Sequence, residues 1–379
     1  MKIVIAGDFS PKFGLQEIIR RRDFDYVFNS VIPYIRKADF SIVNFETTVV
    51  SENTIPSKKN GPSLSTTADS VDALLYAGFN VVTLANNHFY DFGMNGVETT
   101  LSLLDNVGIH HVGAGKNSEE ARKILYLRSN NECLAIINCC EHEFSIATKE
   151  HGGCNPLNPI EQYYAIREAR DKADYVLVIV HGGHELYQLP STRMQDTYRF
   201  FIDAGADAVI NHHQHCFSGM EVYNGKPIFY GLGNFLFDTR IEAYADVWHD
   251  GYMVILNLEN NKIEYDIVPY HQCDNEMNVK ILNEKTEIDA FKTKFDELSS
   301  IIQNHNQLVR CQTNFYSEQS KGRLSAFEPW RSKILRVAYS RGFLPSLVKG
   351  KTAAWMLNYV DCESHSDILK FALRKRMEA

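Results

Sequence analysis

The sequence predicts an α/β protein in which short buried strands alternate with helices along the first 270 residues. Seven short apolar runs, rich in β-branched residues and bounded by turn residues, are typical of strands buried on both faces. Helical patterns that end at or near a glycine separate several of these runs, which is the alternation of an α/β fold. The predicted strands are residues 3–6, 40–46, 81–88, 134–138, 175–181, 208–213 and 228–234.

The helical patterns cover residues 68–77, 96–106, 159–172 and 193–204. Residues 255–268 alternate between apolar and polar and predict one or two later antiparallel strands. After about residue 280 only helical periodicity remains. We therefore predict an α/β domain over residues 1–275 and a mainly helical extension over residues 276–379 that is basic from about residue 321.

The composition is that of an ordinary globular protein. Of 379 residues, 44% are hydrophobic and 23% are charged, which excludes a mainly disordered chain. The net charge of -8 argues against a protein that coats nucleic acid, so no nucleic-acid partner is expected. Eight scattered cysteines, a short N-terminal apolar run and no apolar stretch of membrane-spanning length predict a cytoplasmic location.

The charge is unevenly distributed along the chain. Residues 321–379 contain 12 Lys+Arg and 5 Asp+Glu, a net of +7, which leaves -15 for the rest. Aromatic residues, including Trp330 and Trp355, lie among these basic residues. Helices of this kind can lie on anionic membranes, can pack on the main domain and expose their charges, or can steer an anionic polymer.

Residues that bind metals or transfer protons follow almost every predicted strand. In open α/β sheets, ligands bind beyond the carboxyl ends of the strands, so these side chains are expected to converge. They are Asp8, Asn44, Glu46, Asn87, His88, His181, His213 and His215. Hard oxygen donors together with imidazoles suit a divalent cation.

The segment Asn86–His88 directly follows an apolar run. An amide oxygen can bind a metal, and the adjacent imidazole of His88 can act as a general acid or hold an anion. Asp91 is predicted to orient His88 through its ring N–H, or to cap the next helix. A turn with an incidental histidine is the alternative.

Two further segments carry candidate ligands. His181 ends the strongest predicted strand, and the spacing of His184 and Glu185 after it excludes the zincin pattern. His213 and His215 are expected to point the same way from an extended segment, because they are two residues apart. We predict substrate contacts for Asn86, His184, Glu185 and Asn234.

With these residues in view, the chain resembles the CapA family of poly-γ-glutamate capsule biosynthesis proteins, which is itself similar to the calcineurin-like metallophosphoesterases. The resemblance covers roughly residues 1–270. The motifs that carry it are Gly7–Asp8, Val43–Thr47, Leu84–His88, Val112–Gly115, His181–Gly183, Asp203–Asp207, His213–His215, Gly225–Tyr230 and Gly233–Phe235.

The resemblance implies a four-layer α/β/β/α metallophosphoesterase-like sandwich with two divalent metal ions (Mn, Fe or Zn). The implied ligands are Asp8, Asn44, Glu46, Asn87, His181, His213 and His215, and His88 takes the place of the histidine that stabilises the leaving group or the transition state. The chain departs from the family pattern at Ser10, where a histidine is usual. Gln214 also replaces a usual proline.

The function expected from these observations is a metal-dependent hydrolase, a phosphoesterase, that acts in the synthesis or modification of a capsule or other surface polymer. A metal-dependent γ-glutamyl amide hydrolase and a non-catalytic assembly factor that binds an anionic polymer are the alternatives. The basic tail is expected to contact the inner membrane face or the capsule machinery.

Overall fold

The computed structural model describes residues 1–51, 54–241, 245–260, 262–330 and 332–378. Arg331 and Ala379 of the predicted basic tail lie outside these residues. The chain divides into two compact units, Met1–Leu308 and Val309–Ala379. The first unit is a mixed α/β structure, so the predicted fold class is confirmed.

The strands of the described chain all lie in the first unit. In chain order they are β1 (Lys2–Phe9), β2 (Phe40–Phe45), β3 (Thr48–Val49), β4 (Ser65–Thr66), β5 (Val81–Thr83), β6 (His110–Val112), β7 (Ala114–Gly115), β8 (Leu125–Ser129), β9 (Glu132–Cys140), β10 (Gly153–Cys154), β11 (Tyr175–His181), β12 (Ala208–His212), β13 (Met220–Tyr223), β14 (Lys226–Phe229), β15 (Asn234–Leu236), β16 (Asp250–Glu259), β17 (Lys262–Gln272) and β18 (Val279–Ile281).

The helices surround the strands in the first unit and make up the second. They are α1 (Phe13–Arg20), α2 (Phe24–Phe28), α3 (Ile32–Ile35), α4 (Asp69–Ala77), α5 (Gly93–Val107), α6 (Ser118–Ala121), α7 (Pro159–Lys172), α8 (Thr192–Ala204), α9 (Ala245–Trp248), α10 (Lys285–Gln303), α11 (His305–Leu324), α12 (Lys333–Ser340), α13 (Lys351–Asp361) and α14 (Glu363–Glu378).

Two sheets form the body of the first unit. The first has the order β18-β17-β16-β1-β2-β5-β6, and β15 also pairs with β1. The second has the order β13-β14-β12-β11-β9-β8. The central strands of each sheet are parallel, so their carboxyl ends fall on one edge.

The two sheets pack face to face. Ile3 of the first sheet and Leu134 and Leu177 of the second line the same narrow gap between them. Val4, one residue on, faces the opposite way and joins Leu74 of α4 in the outer core, because successive strand residues alternate faces. Helices α7 and α8 cover the outer face of the second sheet, which completes four layers.

Some predicted strands are shorter than expected. The strand predicted over residues 81–88 ends at Thr83, and the run over 228–234 is split between β14 and β15. In both places the chain leaves the strand in an irregular segment and crosses to the next element. At the second crossing the backbone passes so close to Gly7 that a Cβ there would lie 1.9 Å from the Gly233 carbonyl oxygen.

The first unit continues past the predicted domain boundary at residue 275. Helix α10 packs an aromatic face on the first unit, with the Phe291 ring 4.8 Å from that of Phe217. The Ser299 hydroxyl also accepts a hydrogen bond from the Met220 amide at 3.0 Å.

The second unit consists of helices with little core of their own. Among its described residues, only Glu328 and Tyr339 are buried. The Glu328 carboxylate accepts hydrogen bonds from the Ser346 hydroxyl and from the amides of Leu347 and Val348. None of the described helices is both long and apolar enough to span a bilayer.

Candidate metal centre

The predicted ligands meet at the carboxyl edge shared by the two sheets. Asp8 and Asn44 are register partners on β1 and β2, and Glu46 lies just beyond the end of β2. His181 is the last residue of β11, whose neighbour β12 leads into His213 and His215. These residues are all buried, so the cluster lies beneath the protein surface at this edge of the sheets.

Glu46 occupies the middle of the cluster. Its Oε1 lies 3.7 Å from His181 Nε2, 3.7 Å from His215 Nε2 and 3.9 Å from His88 Nε2. Both carboxylate oxygens are buried and accept no hydrogen bond from any described residue. A buried carboxylate without a partner is costly, so this group requires a cation or a proton.

Two sets of three side chains could each hold a metal ion, and they share Glu46. One set is Glu46, His181 and His213, and the other is Asp8, Glu46 and His215. Within each set the ligand atoms lie within 4.8 Å of one another. A carboxylate common to both sets could bridge two ions.

The electrostatics fit a divalent cation. Burial raises the pKa of Glu46 well above its usual range, and the charge of Asp8 adds to this shift. Burial also raises the pKa of Asp8 to about 7, against hydrogen bonds from Asn44 and the His213 amide. Without a cation these carboxyl groups retain protons at moderately acidic pH. A bound cation would replace those protons.

Burial keeps His181 and His215 of the cluster neutral. Burial lowers the pKa of His215 to about 3 and that of His181 well below its usual range, and neighbouring imidazoles add to both shifts. Neutral imidazoles keep a lone pair for a metal. Together with carboxylates they form a donor set that suits Mn, Fe or Zn.

His215 is oriented by the residues around it. Its Nδ1 lies 3.0 Å from Asn234 Oδ1, and its ring packs against Trp248 at 4.9 Å. We assign the ring proton to Nδ1, because an amide oxygen can only accept. That assignment leaves the lone pair of Nε2 facing Glu46, as ligands of this kind require.

The backbone that carries His213 and His215 differs from the predicted extended segment. Strand β12 ends at His212, and both residues have positive φ angles of 89° and 55°. The expected geometry is therefore wrong, although the two side chains do converge. His212 points between the sheets, where its Nε2 contacts the Ala6 carbonyl at 3.1 Å.

The two asparagines of the predicted ligand set lie within the cluster. Asn44 Nδ2 donates to Asp8 Oδ1 at 2.7 Å and contacts His181 Nδ1 at 3.2 Å. Because its Oδ1 accepts from the Thr83 hydroxyl, Asn44 orients its neighbours in this structure. Asn87 Oδ1 lies 3.0 Å from His181 Nε2 and could reach a shared cation. Their role as ligands stays a prediction.

His88 and Asp91 form a pair beside Glu46. His88 Nδ1 lies 2.7 Å from Asp91 Oδ2, which also accepts from the Leu64 amide at 2.7 Å. The Lys59 ammonium forms an ion pair with the other Asp91 oxygen and is almost completely buried. Burial lowers the pKa of His88, against the hydrogen bond that its Nδ1 donates to Asp91.

Two lysines of this region, Lys59 and Lys12, were not predicted from the sequence. Lys59 lies in a segment without regular structure, and no pattern distinguishes it from neighbouring Lys58. Lys12 follows β1 and is partly buried, which lowers its pKa against the attraction of Glu46 and Asp238. The position of Lys12 directly after the first strand that carries a candidate ligand is the one sequence feature that could have indicated its place in the site.

The four residues predicted to contact the substrate lie in two kinds of environment, two of them bonded within the protein and two nearer the surface. The Asn86 amide donates to the Phe45 and Leu84 carbonyls and accepts from the His88 amide, so its polar atoms are used by the protein. Asn234 is likewise occupied with His215 and Trp248. His184 and Glu185 lie nearer the surface, and Glu185 is exposed. For all four, the substrate contact stays a prediction.

Comparison with known proteins adds sequence relatives. A family model described as "Bacterial capsule synthesis protein PGA_cap" matches residues 2–239. The capsule biosynthesis protein CapA of Bacillus anthracis is 31% identical over 332 residues, which cover 82% of this chain and 79% of that protein. The PGA biosynthesis protein CapA of Bacillus subtilis is 33% identical over 236 residues, 62% of each chain.

Two solved structures are also similar. A hypothetical protein from Thermus thermophilus aligns with a TM-score of 0.47 and 16% identity, over 75% of this chain and 100% of its own. A phosphatase from Mycoplasma pneumoniae aligns with a TM-score of 0.46 and 14% identity, over 73% and 95%.

Proposed function

The chain belongs to the bacterial capsule synthesis protein family, and from that premise we propose that it is a metal-dependent phosphoesterase that acts on a capsule or other surface polymer, or on its precursor. The observation that carries the proposal is Glu46, a fully buried carboxylate that no described residue bonds and that two candidate metal sets share. This arrangement suits a pair of ions on one bridging ligand.

The residues that would hold the ions come from both sheets. Asp8, Glu46 and His215 would hold one, and Glu46, His181 and His213 the other, with the Asn87 amide within reach. Bound ions would lower the pKa of a water nucleophile and polarise phosphoryl oxygens. Asn44 and Asn234 would hold Asp8 and His215 in position.

His88 would supply the proton for the leaving oxygen. Its Nδ1 is held by Asp91, so Nε2 faces the cluster near Glu46. The approach of an anionic ester would raise the pKa of the imidazole, because an opposite charge favours the protonated form. Asp91 would stabilise the imidazolium until its Nε2 proton passes to the departing alkoxide, which leaves His88 neutral with its Nδ1 proton on the hydrogen bond to Asp91.

The charge around the cluster supports an anionic substrate. Lys59 beside His88 and Lys12 beside Glu46 bring two ammonium groups to the same region. Lys12, which is partly buried, would attract a phosphoryl group directly, whereas Lys59 would act through its ion pair with Asp91. A neutral amide would gain less from them, which favours the phosphoester over the γ-glutamyl amide.

The direct test combines metal analysis with a panel of phosphomonoesters and phosphodiesters, assayed with Mn²⁺ added to dialysed protein. We expect bound metal, hydrolysis of at least one ester, and competitive inhibition by inorganic phosphate. His213→Ala should lose both metal and turnover, while His271→Ala, a histidine paired with Asp250 outside the cluster, should keep both.

Two results would contradict the proposal. Hydrolysis of a γ-glutamyl amide without inhibition by phosphate would identify an amide hydrolase. Tight binding of an anionic polymer by a protein without turnover, unaffected by His213→Ala, would identify an assembly factor instead.

A further inference from the structure

The second unit exposes many large apolar side chains. On α12 to α14 and the segments between them these are Ile334, Leu335, Val337, Phe343, Leu347, Trp355, Leu357, Val360, Ile368, Phe371 and Leu373. Trp355 is 60% exposed and Phe371 is 61% exposed. Isolated exposed apolar residues are ordinary, but a dense group of them indicates a surface that binds something.

These apolar side chains lie next to basic ones. Ile368 and Phe371 are three residues apart on α14 and share a helix face. One turn further, the Lys375 ammonium lies 5.1 Å from the centre of the Phe371 ring. On α13 the rings of Trp355 and Tyr359 are 4.8 Å apart. On α14, exposed apolar side chains therefore lie directly beside a cationic group.

The charge of the unit selects among possible partners. Val309–Ala379 contains 13 Lys+Arg and 6 Asp+Glu, a net of +7, while the remaining residues carry -15. Two copies of such a unit would repel each other. A soluble polyanion would satisfy the charges but would leave the Trp355 and Phe371 side chains in water.

A bilayer with anionic headgroups satisfies both features at once. Aromatic residues favour the interface between headgroups and acyl chains, and lysine and arginine favour anionic lipid phosphates. None of the described helices can span a membrane, so the contact would lie along the surface.

We propose that the second unit binds the surface of an anionic bilayer, with Trp355, Phe371 and their apolar neighbours inserted among the headgroups and the basic residues of α14 against lipid phosphates. The proposal stands apart from the proposed catalytic function, because none of the candidate metal ligands lies in this unit.

The test uses the full chain and sedimentation with vesicles of phosphatidylcholine alone or mixed with phosphatidylglycerol. We expect binding only to the anionic vesicles, and weaker binding as salt is raised. The double variant Trp355→Ser/Phe371→Ser should bind at least about tenfold more weakly, because it removes apolar surface that would be buried. Each of Lys370→Glu and Lys375→Glu should weaken binding about fivefold or more.

The matched control is Ile160→Ser/Tyr164→Ser on α7 of the first unit, where both side chains are comparably exposed. It should bind vesicles like the unchanged protein. Far-UV circular dichroism shows whether each variant retains its helices, and ester hydrolysis in solution should be unaffected by all of them.

Three results would overturn the proposal. The first is no binding of the unchanged protein to anionic vesicles at low salt. The second is binding that the lysine variants abolish and the Trp355→Ser/Phe371→Ser variant leaves intact, which describes a polyanion site. The third is a dimer in solution that the same apolar variant dissociates.

Discussion

The two units of this protein handle burial in opposite ways. The first unit buries polar side chains, and its candidate metal cluster holds Asp8, Glu46 and His215 with at most a few per cent of their surface exposed. The second unit exposes apolar ones, such as Ile334 and Phe371. A buried polar side chain and an exposed apolar side chain are both in an unfavourable environment, and a bound partner would stabilise each of them.

The difference indicates what kind of partner each unit would bind. An unpaired buried carboxylate is compensated by a cation, because only charge offsets its lost hydration. An exposed aromatic ring is compensated by another apolar surface, because only exclusion of water lowers its free energy. The contrast predicts that substitutions in one unit and in the other will affect different measurements.

The largest effect is expected at Glu46. Glu46→Gln keeps the shape of the side chain and removes the charge that both metal sets share. We expect loss of bound Mn²⁺ and a fall in turnover of at least about a thousandfold, since bound ions contribute several kcal/mol to catalysis. Metal analysis and ester hydrolysis measure both.

The same variant should not unfold without metal, because it replaces a desolvated carboxyl group with a neutral amide. Its matched control is Glu284→Gln, an exposed glutamate of the same unit. If the Glu46→Gln protein kept its full metal content, Glu46 would not be a ligand shared by two ions.

A pair of phenylalanine substitutions compares the two units directly. Phe229 on β14 is fully buried, and Phe229→Ala should lower the free energy of unfolding by about 3–5 kcal/mol. Phe371→Ala should change it by about 0.5 kcal/mol or less, as expected for a surface position. Denaturant titration of the full chain gives both values. Equal losses would mean that Phe371 packs in a core of its own.

His88→Asn should separate proton transfer from metal binding. The turnover should fall about a hundredfold, the lower range for loss of a general acid, with unchanged metal content. Lys59→Met should have a smaller effect, about tenfold or less, because Lys59 acts through Asp91. A larger loss in Lys59→Met than in His88→Asn would show that the ammonium contacts substrate itself.

The pH dependence of Mn²⁺ affinity tests the same cluster without any substitution. The pKa of Asp8 is about 7 in the cation-free fold, so below that value the metal has to displace a proton. We expect affinity to fall by at least about tenfold for each pH unit below about 7, because Glu46, whose pKa burial also raises, gives up a proton to the metal as well. Titration calorimetry at several pH values measures this slope, and a flat profile would contradict the protonated Asp8.

The same shift affects the stability of the cation-free protein. The ordinary pKa of an aspartate is about 3.9 in an unfolded chain, so the folded state holds the Asp8 proton more tightly. This contribution stabilises the fold at low pH and is lost as the pH rises from about 4 through 7. Above about pH 7 the buried Asp8 carboxylate is charged, and a bound metal ion would compensate that charge.

Most of the site could be predicted from the strand ends. His181 and Asp8 terminate apolar runs, and parallel strands bring their carboxyl ends to one edge, so convergence followed from local pattern alone. Lys59 could not be predicted, because it lies in a segment without periodicity and meets Asp91 only after folding. The left-handed backbone at His213 and His215 could not be predicted either, because a spacing of two residues indicates only an extended strand.

The sequence by itself determined the α/β class, most of the strands and helices, the residues available as ligands, and the uneven charge. Each of these is encoded within a short window of residues, where period and residue type act locally. Tertiary structure alone decided that Glu46 is shared by two sets of ligands, that Asn44 and Asn234 orient others, and that the apolar residues of α13 and α14 face outward. These depend on residues far apart in the chain, which come into contact only when the sheets and helices pack.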